Sequence, residues 1–84
     1  MNRTKRIKNI LEKNLSEFSI SVIDDSFNHS GHNNFDGDGE THIIIELKKK
    51  HILNINRLEI HKKINSLLFE EFKLGLHALQ IKIT

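Results

Sequence analysis

The sequence has no cysteine, no proline, no tryptophan and no tyrosine. Without cysteine the chain can make neither a disulfide nor a thiolate metal site of its own, so core packing has to stabilise the fold unaided. The same absence tilts the expected compartment toward a reducing cytoplasm or organelle matrix. With no proline, no internal repeat and no low-complexity linker, nothing divides the 84 residues, and residues 1–84 read as one domain with one modest core. No stretch approaches the roughly 18 consecutive apolar residues of a membrane span. The longest candidate, Ile43 to Ile45, belongs to a strand, so a soluble, cytoplasmic protein without a membrane partner is expected. A charge excess of one sign is also missing. Thirteen basic residues stand against 11 acidic ones, and the net charge of +2 does not compel nucleic-acid binding. Arg3, Lys5, Arg6 and Lys8 suggest a transit peptide, but Glu12 and Glu17 follow closely and the apolar spacing runs on into a core helix. There is no cysteine nucleophile, no G-x-S-x-G elbow and no phosphate-binding glycine loop, which argues against an enzyme.

What is present is a set of periodic segments. Ile7, Ile10, Leu11 and Leu15 make one apolar stripe of a helix from about Thr4 to Asn14. Phe18, Ile20 and Val22 alternate with Ser19 and Ser21, which predicts a strand from Phe18 to Asp24. From Asp25 to Gly39 the composition changes toward Ser, Asn, His, Gly and Asp, which bond their own backbone or tolerate positive φ, so a long loop is expected. Thr41 to Lys48, rich in β-branched residues, reads as a second, more buried strand. Asn56 followed by Glu59 has the form of a helix start, and Ile60, Ile64, Leu67, Leu68 and Phe72 carry the helix to about Phe72, with Gly75 placed to end it. His77, Leu79, Ile81 and Ile83 alternate with Ala78, Gln80 and Lys82 in a closing strand.

This order fixes where the histidines go. Strands one and two should be antiparallel neighbours, and a strand-helix-strand crossover makes the third strand parallel to the second. Parallel strands start at the same end, so His77 should lie at the loop end together with His29, His32 and His42, while His51 and His61 lie elsewhere.

The segments Asp24-Asp25-Ser26-Phe27-Asn28-His29, Gly39-Glu40-Thr41-His42 and Leu76-His77-Ala78-Leu79 resemble, in their order and spacing, the signature of the BolA family. His61-Lys62 falls at the family's helix motif, although Ile60 stands where arginine is usual, and Lys50 to Ile55 replaces the usual aromatic/glycine turn. The resemblance covers most of the chain. It implies an α/β (α+β) fold of the type II KH-like kind, a three-stranded mixed sheet covered by helices in the order α-β-β-α(α)-β. It also implies a heterodimer with a monothiol glutaredoxin, bridged by a [2Fe-2S] cluster to which the glutaredoxin and glutathione supply sulfur. By the same resemblance His77 and the loop histidine His29 are the ligands, with His32 as an alternative, and Gly39, Glu40, Thr41, His42, His61, Lys62 and Ala78 form the partner contact. No cofactor is then expected on the isolated chain, which would be a monomer or weak homodimer.

The chemistry of the residues fits this division. Two histidines can replace two cysteines on one iron of a [2Fe-2S] centre, and a chain without cysteine must take its sulfur ligands from elsewhere. Plainer readings stand beside it. His77 shares the parity of Leu79, Ile81 and Ile83 and could cap the sheet; His29 and His32 could sit in a solvated loop or hold a structural zinc; His42 suits structural support. Asp36-Gly37-Asp38-Gly39-Glu40 has the look of a calcium loop, but counting from Asn34 puts Ile45 where a bidentate glutamate is required. The alternative function is a nucleic-acid-binding transcriptional regulator, with Lys48, Lys49, Lys50, Lys62 and Lys63 on phosphates and possible DNA partners. No G-x-x-G loop and no aromatic platform supports it.

Overall fold

In the computed structural model, residues 2–26 and 41–84 are described. Helix α1 (Arg3–Asn14) starts at Asn2, whose side chain accepts the Lys5 amide and so satisfies one of the helix's orphan donors. Ile7 and Leu11 are buried on one side of α1, while Lys8, Glu12 and Lys13 lie exposed on the other. After a short turn, strand β1 (Phe18–Asp24) alternates as its sequence predicts: Phe18 and Ile20 are buried, and Ser19, Ser21 and Ile23 face outward. Strand β2 (His42–Lys49) lies at the centre of the sheet order β1-β2-β3, antiparallel to β1 and parallel to β3 (Ala78–Ile83). The observed fold is α+β, a three-stranded mixed sheet with helices. No helix among the described residues is long and apolar enough to cross a membrane.

One face of the sheet carries the core. Ile43, Ile45 and Leu47 of β2 meet Ile7 and Leu11 of α1 and Ile64 and Leu68 from the crossover, with Leu76 and Ile83 closing the cluster. Each fully buried aliphatic side chain contributes about 1.5 to 3 kcal/mol of transfer free energy. With no disulfide to add to it, that packing is the principal source of stability. The opposite face is open, with Ser19, Ser21, Glu46, Lys48, Ala78, Gln80 and Lys82 exposed.

The crossover departs from the expected single helix. Helix α2 (Arg57–Leu67) begins at Asn56, whose side chain accepts the Glu59 amide as its spacing predicts, but it stops at Leu68 and a separate helix α3 (Phe69–Lys73) follows. The apolar stripe runs through both helices, so its periodicity gives no sign of the break. What the break accomplishes is polar. It directs Glu71 inward, where the carboxylate, on a residue only 4% exposed, meets Arg3 Nε at 3.0 Å and Arg6 Nε and Nη2 at 2.9 Å each. Arg3 also donates through Nη2 to the Leu74 carbonyl at 2.7 Å, so the start of α1 is fastened to the end of α3. Gly75 follows with φ of 116°, a conformation L side chains rarely adopt, and the Leu76 amide returns to the Glu71 carbonyl in a Schellman closure.

The Arg6 hydrogen bonds, aided by those of Arg3 and opposed by burial, hold the Glu71 carboxyl below its ordinary value of 4.5. A depressed folded value means that the unfolded chain binds the proton more readily, so the contribution is present in full above the ordinary carboxylate range and is lost as pH falls through the folded value. Glu71→Gln should lower the unfolding free energy at neutral pH by about 3 kcal/mol, because the guanidinium groups lose their counter-charge. In urea unfolding at a series of pH values, the gap between wild type and variant should narrow as the medium is acidified below 4.5. A gap that stayed constant would show that the charge of Glu71 contributes nothing.

Candidate functional site: the histidine end of the sheet

The parallel pairing brings His42 and His77 to one end of the molecule. Their ring centroids are 5.9 Å apart and the rings meet edge to face at 79°. His77 is exposed, just ahead of β3, and His42 is half-buried at the first position of β2. The Thr41 carbonyl fixes their backbones relative to each other by accepting the His77 amide at 2.8 Å and the Ala78 amide at 3.1 Å.

Beneath this pair lies a buried hydroxyl that sequence reasoning passed over. Ser26 is fully buried and donates its hydroxyl proton to Asp24 Oδ1, while its Oγ accepts the Thr41 amide at 2.9 Å. The Asp24 carboxylate also accepts the Ser26 amide at 3.0 Å, and the Asp25 amide donates to the His42 carbonyl at 2.8 Å. The end of β1 and the start of β2, which bracket residues 27–40, are thereby joined. The Asp24-x-Ser26 spacing, a common local bond between a carboxylate and the backbone two residues on, was the signal available for this arrangement.

The same network reaches His42. Thr41 Oγ1 lies 3.4 Å from Ser26 Oγ and 3.0 Å from His42 Nδ1, a contact whose donor is set by the ring's tautomer.

Of the residues expected at the site, Thr41, His42, His77 and Ala78 gather at this end. His29, His32, Gly39 and Glu40, like the aspartate/glycine stretch considered for calcium, lie outside the described residues. His61 and Lys62 are on α2, whose first residue, Arg57, donates to the Ile83 carbonyl at the opposite end of the sheet. The lysines considered for phosphate contact are also remote. Seven residue steps along β2, about 23 Å at strand spacing, separate His42 from Lys49. Lys48 and Lys50 are exposed there, Lys49 is half-buried, and Lys62 and Lys63 are exposed on α2, with Lys63 Nζ 3.2 Å from the Asn14 carbonyl. No group of three or more His, Cys, Asp or Glu side chains able to hold a metal occurs among the described residues. At this end, then, the described residues present two imidazoles, a borderline nitrogen donor set short of a full coordination sphere.

A family model described as BolA-like protein matches residues 11–84. The chain belongs to the BolA-like family. It is 35% identical over 82 residues to the chloroplastic protein BOLA1 of Arabidopsis thaliana, a match covering 95% of this chain and 51% of that protein. It is 36% identical over 84 residues to the UV-induced protein uvi31 of Schizosaccharomyces pombe, covering 96% of this chain and 82% of that one. Among solved structures, the BolA domain of SufE1 from Arabidopsis thaliana aligns with a TM-score of 0.79 and 36% identity over the whole of this chain and 92% of that domain. The chain therefore spans about half the length of chloroplastic BOLA1. The three-stranded mixed sheet and its helices are those of BolA domain structures.

For this BolA-like chain, Ser26→Ala should cost about 1 to 3 kcal/mol of stability, because the Thr41 amide loses its acceptor in a buried place. The substitution should also shift the His42 and His77 ring resonances, since both side chains stand on Thr41. Unchanged ring shifts would mean that the hydroxyl does not organise this end.

Proposed function

We propose that this BolA-like protein is a non-enzymatic partner of a monothiol glutaredoxin, with which it shares a [2Fe-2S] cluster in iron–sulfur cluster trafficking or iron and redox regulation. The observation that carries the reading is the meeting of His42 and His77 at 5.9 Å on one rim. Two rings bound to one iron in tetrahedral arrangement would have centroids about 5 Å apart, given Fe–N distances of about 2 Å, so the spacing of this pair is near that of shared ligation, which would need the rings to turn from their edge-to-face meeting. His77 is the stronger ligand candidate because it is exposed. His42, whose ring is oriented through Thr41 and Ser26, either braces His77 or joins it.

The donor set suits a shared group. Imidazole binds iron, and two histidines can stand in for two cysteines, while the chain's lack of cysteine leaves the thiolates to glutaredoxin and glutathione. The segment that carries His29 and His32 leaves and rejoins the described fold at this same rim, through Ser26 and Thr41, which favours a loop histidine as the further ligand. When bound, the cluster supplies redox and transfer chemistry; this chain's own part is to present nitrogen donors that must be unprotonated to bind. The kinship with a SufE1 BolA domain is in keeping with an iron–sulfur setting. No comparable observation favours the nucleic-acid reading.

Mixing the protein with a cluster-loaded monothiol glutaredoxin should give a heterodimer with an altered visible spectrum. His77→Ala should abolish that alteration with little change in stability, since the side chain is exposed. Amide shifts in the titration should gather on residues 41–43 and 76–79. A His77→Ala protein that reproduces the native spectrum would refute ligation, and shifts confined to residues 48–63 on adding DNA would favour the regulator instead.

A further inference from the structure

Strand β1 is an edge strand, and its hydrogen-bonding register shows which of its backbone groups point away from the sheet. Directly opposed residues of an antiparallel pair either exchange hydrogen bonds or make none, in alternation. The Asp25 amide bonds the His42 carbonyl, and the Lys50 amide bonds the Glu17 carbonyl; both pairs continue the β1–β2 register. Ser19, Ser21 and Ile23 therefore direct their amides and carbonyls to β2, and Phe18, Ile20 and Val22 direct theirs to the open edge. The Phe18 amide is taken by the Leu15 carbonyl. The N–H and C=O groups of Ile20 and Val22 have no hydrogen-bond partner among the described residues.

Natural sheets protect such edges with charge, proline or a covering element. The far edge follows this practice: the same parity argument on β3 leaves Ile83 facing outward, its carbonyl receives Arg57 Nη1, and Lys82 stands on the exposed face. Along β1 no described element covers this edge, and Phe18 to Ile23 contains no charge and no proline. A groove of about 300 Å³, lined by Glu12 of α1, by Ser16 of the turn that follows, by Phe18, Ser19 and Ile20 of β1 and by Lys50, joins the helix to the open face of the sheet.

We infer that this edge is a self-association surface, on which a second copy of the chain pairs β1 with β1, antiparallel about a two-fold axis at Ser21, to make one continuous six-stranded sheet. The register centred on Ser21 uses every open group of Ile20 and Val22, giving about four main-chain hydrogen bonds. It sets Ile20 of each copy against Val22 of the other on the apolar face and Ser21 against Ser21 on the open face, so side-chain parity is kept. Charge on the helix side of the edge also favours a second copy as occupant. Glu12 lines the groove with Ile20, and α1 returns over β1 after a short turn, so extending the helix by one turn carries the exposed Lys8 about 6 Å further along, in the direction of Val22. The two-fold that sets Ile20 against Val22 therefore sets Glu12 of each copy against Lys8 of the other. The edge lies apart from His42 and His77, so the inference does not depend on the proposed cluster chemistry.

Amide hydrogen exchange read by NMR at rising protein concentration tests it. Ser19, Ser21 and Ile23 should be protected throughout, whereas Ile20 and Val22 should become protected only as the dimer forms, with sedimentation equilibrium reporting the mass. Ser21→Lys, on an exposed side chain opposite Glu46, keeps the fold but places like charges on the axis, and should weaken dimerisation about tenfold or more. Glu12→Lys should also weaken it, and combining it with Lys8→Glu should restore it. A chain that stays monomeric with fast exchange at Ile20 and Val22, a dimer indifferent to Ser21→Lys, or protection of those two amides only when another protein is added would each overturn the inference.

Discussion

The Thr41 carbonyl receives two amides, from His77 and Ala78, and through them the last strand is hung on the start of the second. This attachment is possible only because the crossover is a helix and its two strands run the same way, so both begin at one end. The amide of Thr41 is held in turn by Ser26, at the close of β1. One residue thus joins all three strands at a single rim, and the two histidines stand on it. Thr41 is 5% exposed, and its polar groups are satisfied inside the protein, where each hydrogen bond contributes more than it would at the surface.

Much of this was legible in the sequence because it rests on short-range patterns. Strand β1 occupies the seven residues that its alternation marks, α1 and β2 fall within a residue of their expected limits, and both Asn56 and Gly75 end their helical segments as their types imply. The meeting of His42 and His77 followed from strand direction alone. What escaped was polar and long-range. The pairing of Arg3 and Arg6 with Glu71 crosses more than sixty positions and leaves no periodic trace, so the interruption at Leu68 that makes it possible looked like uninterrupted helix. The Ser26 hydroxyl was hidden for a related reason, since a serine in a stretch of turn-forming residues ordinarily faces water.

The chain is polarised along its central strand. One end gathers imidazoles over a buried hydroxyl network, and the other gathers lysines around the turn that leads into α2. Separation by the length of β2 means that a ligand at the histidines and a polyanion at the lysines would not compete for the same atoms. The helices serve neither end directly. They cover one face of the sheet, and the Glu71 cluster fastens the first to the last, which keeps the crossover, and hence the position of His77, from drifting.

The bonds that bring Ser26 to Thr41 also separate the making of the fold from the composition of the fourteen residues between them. With the stem clamped, a flexible connection of twice that length would cost only about 0.6 kcal/mol more in closure entropy. A graft carrying different side chains could therefore be exchanged there without disturbing the sheet. Under the function proposed above, such an exchange would change the donors offered beside His77 while the strand that carries His77 stays in place.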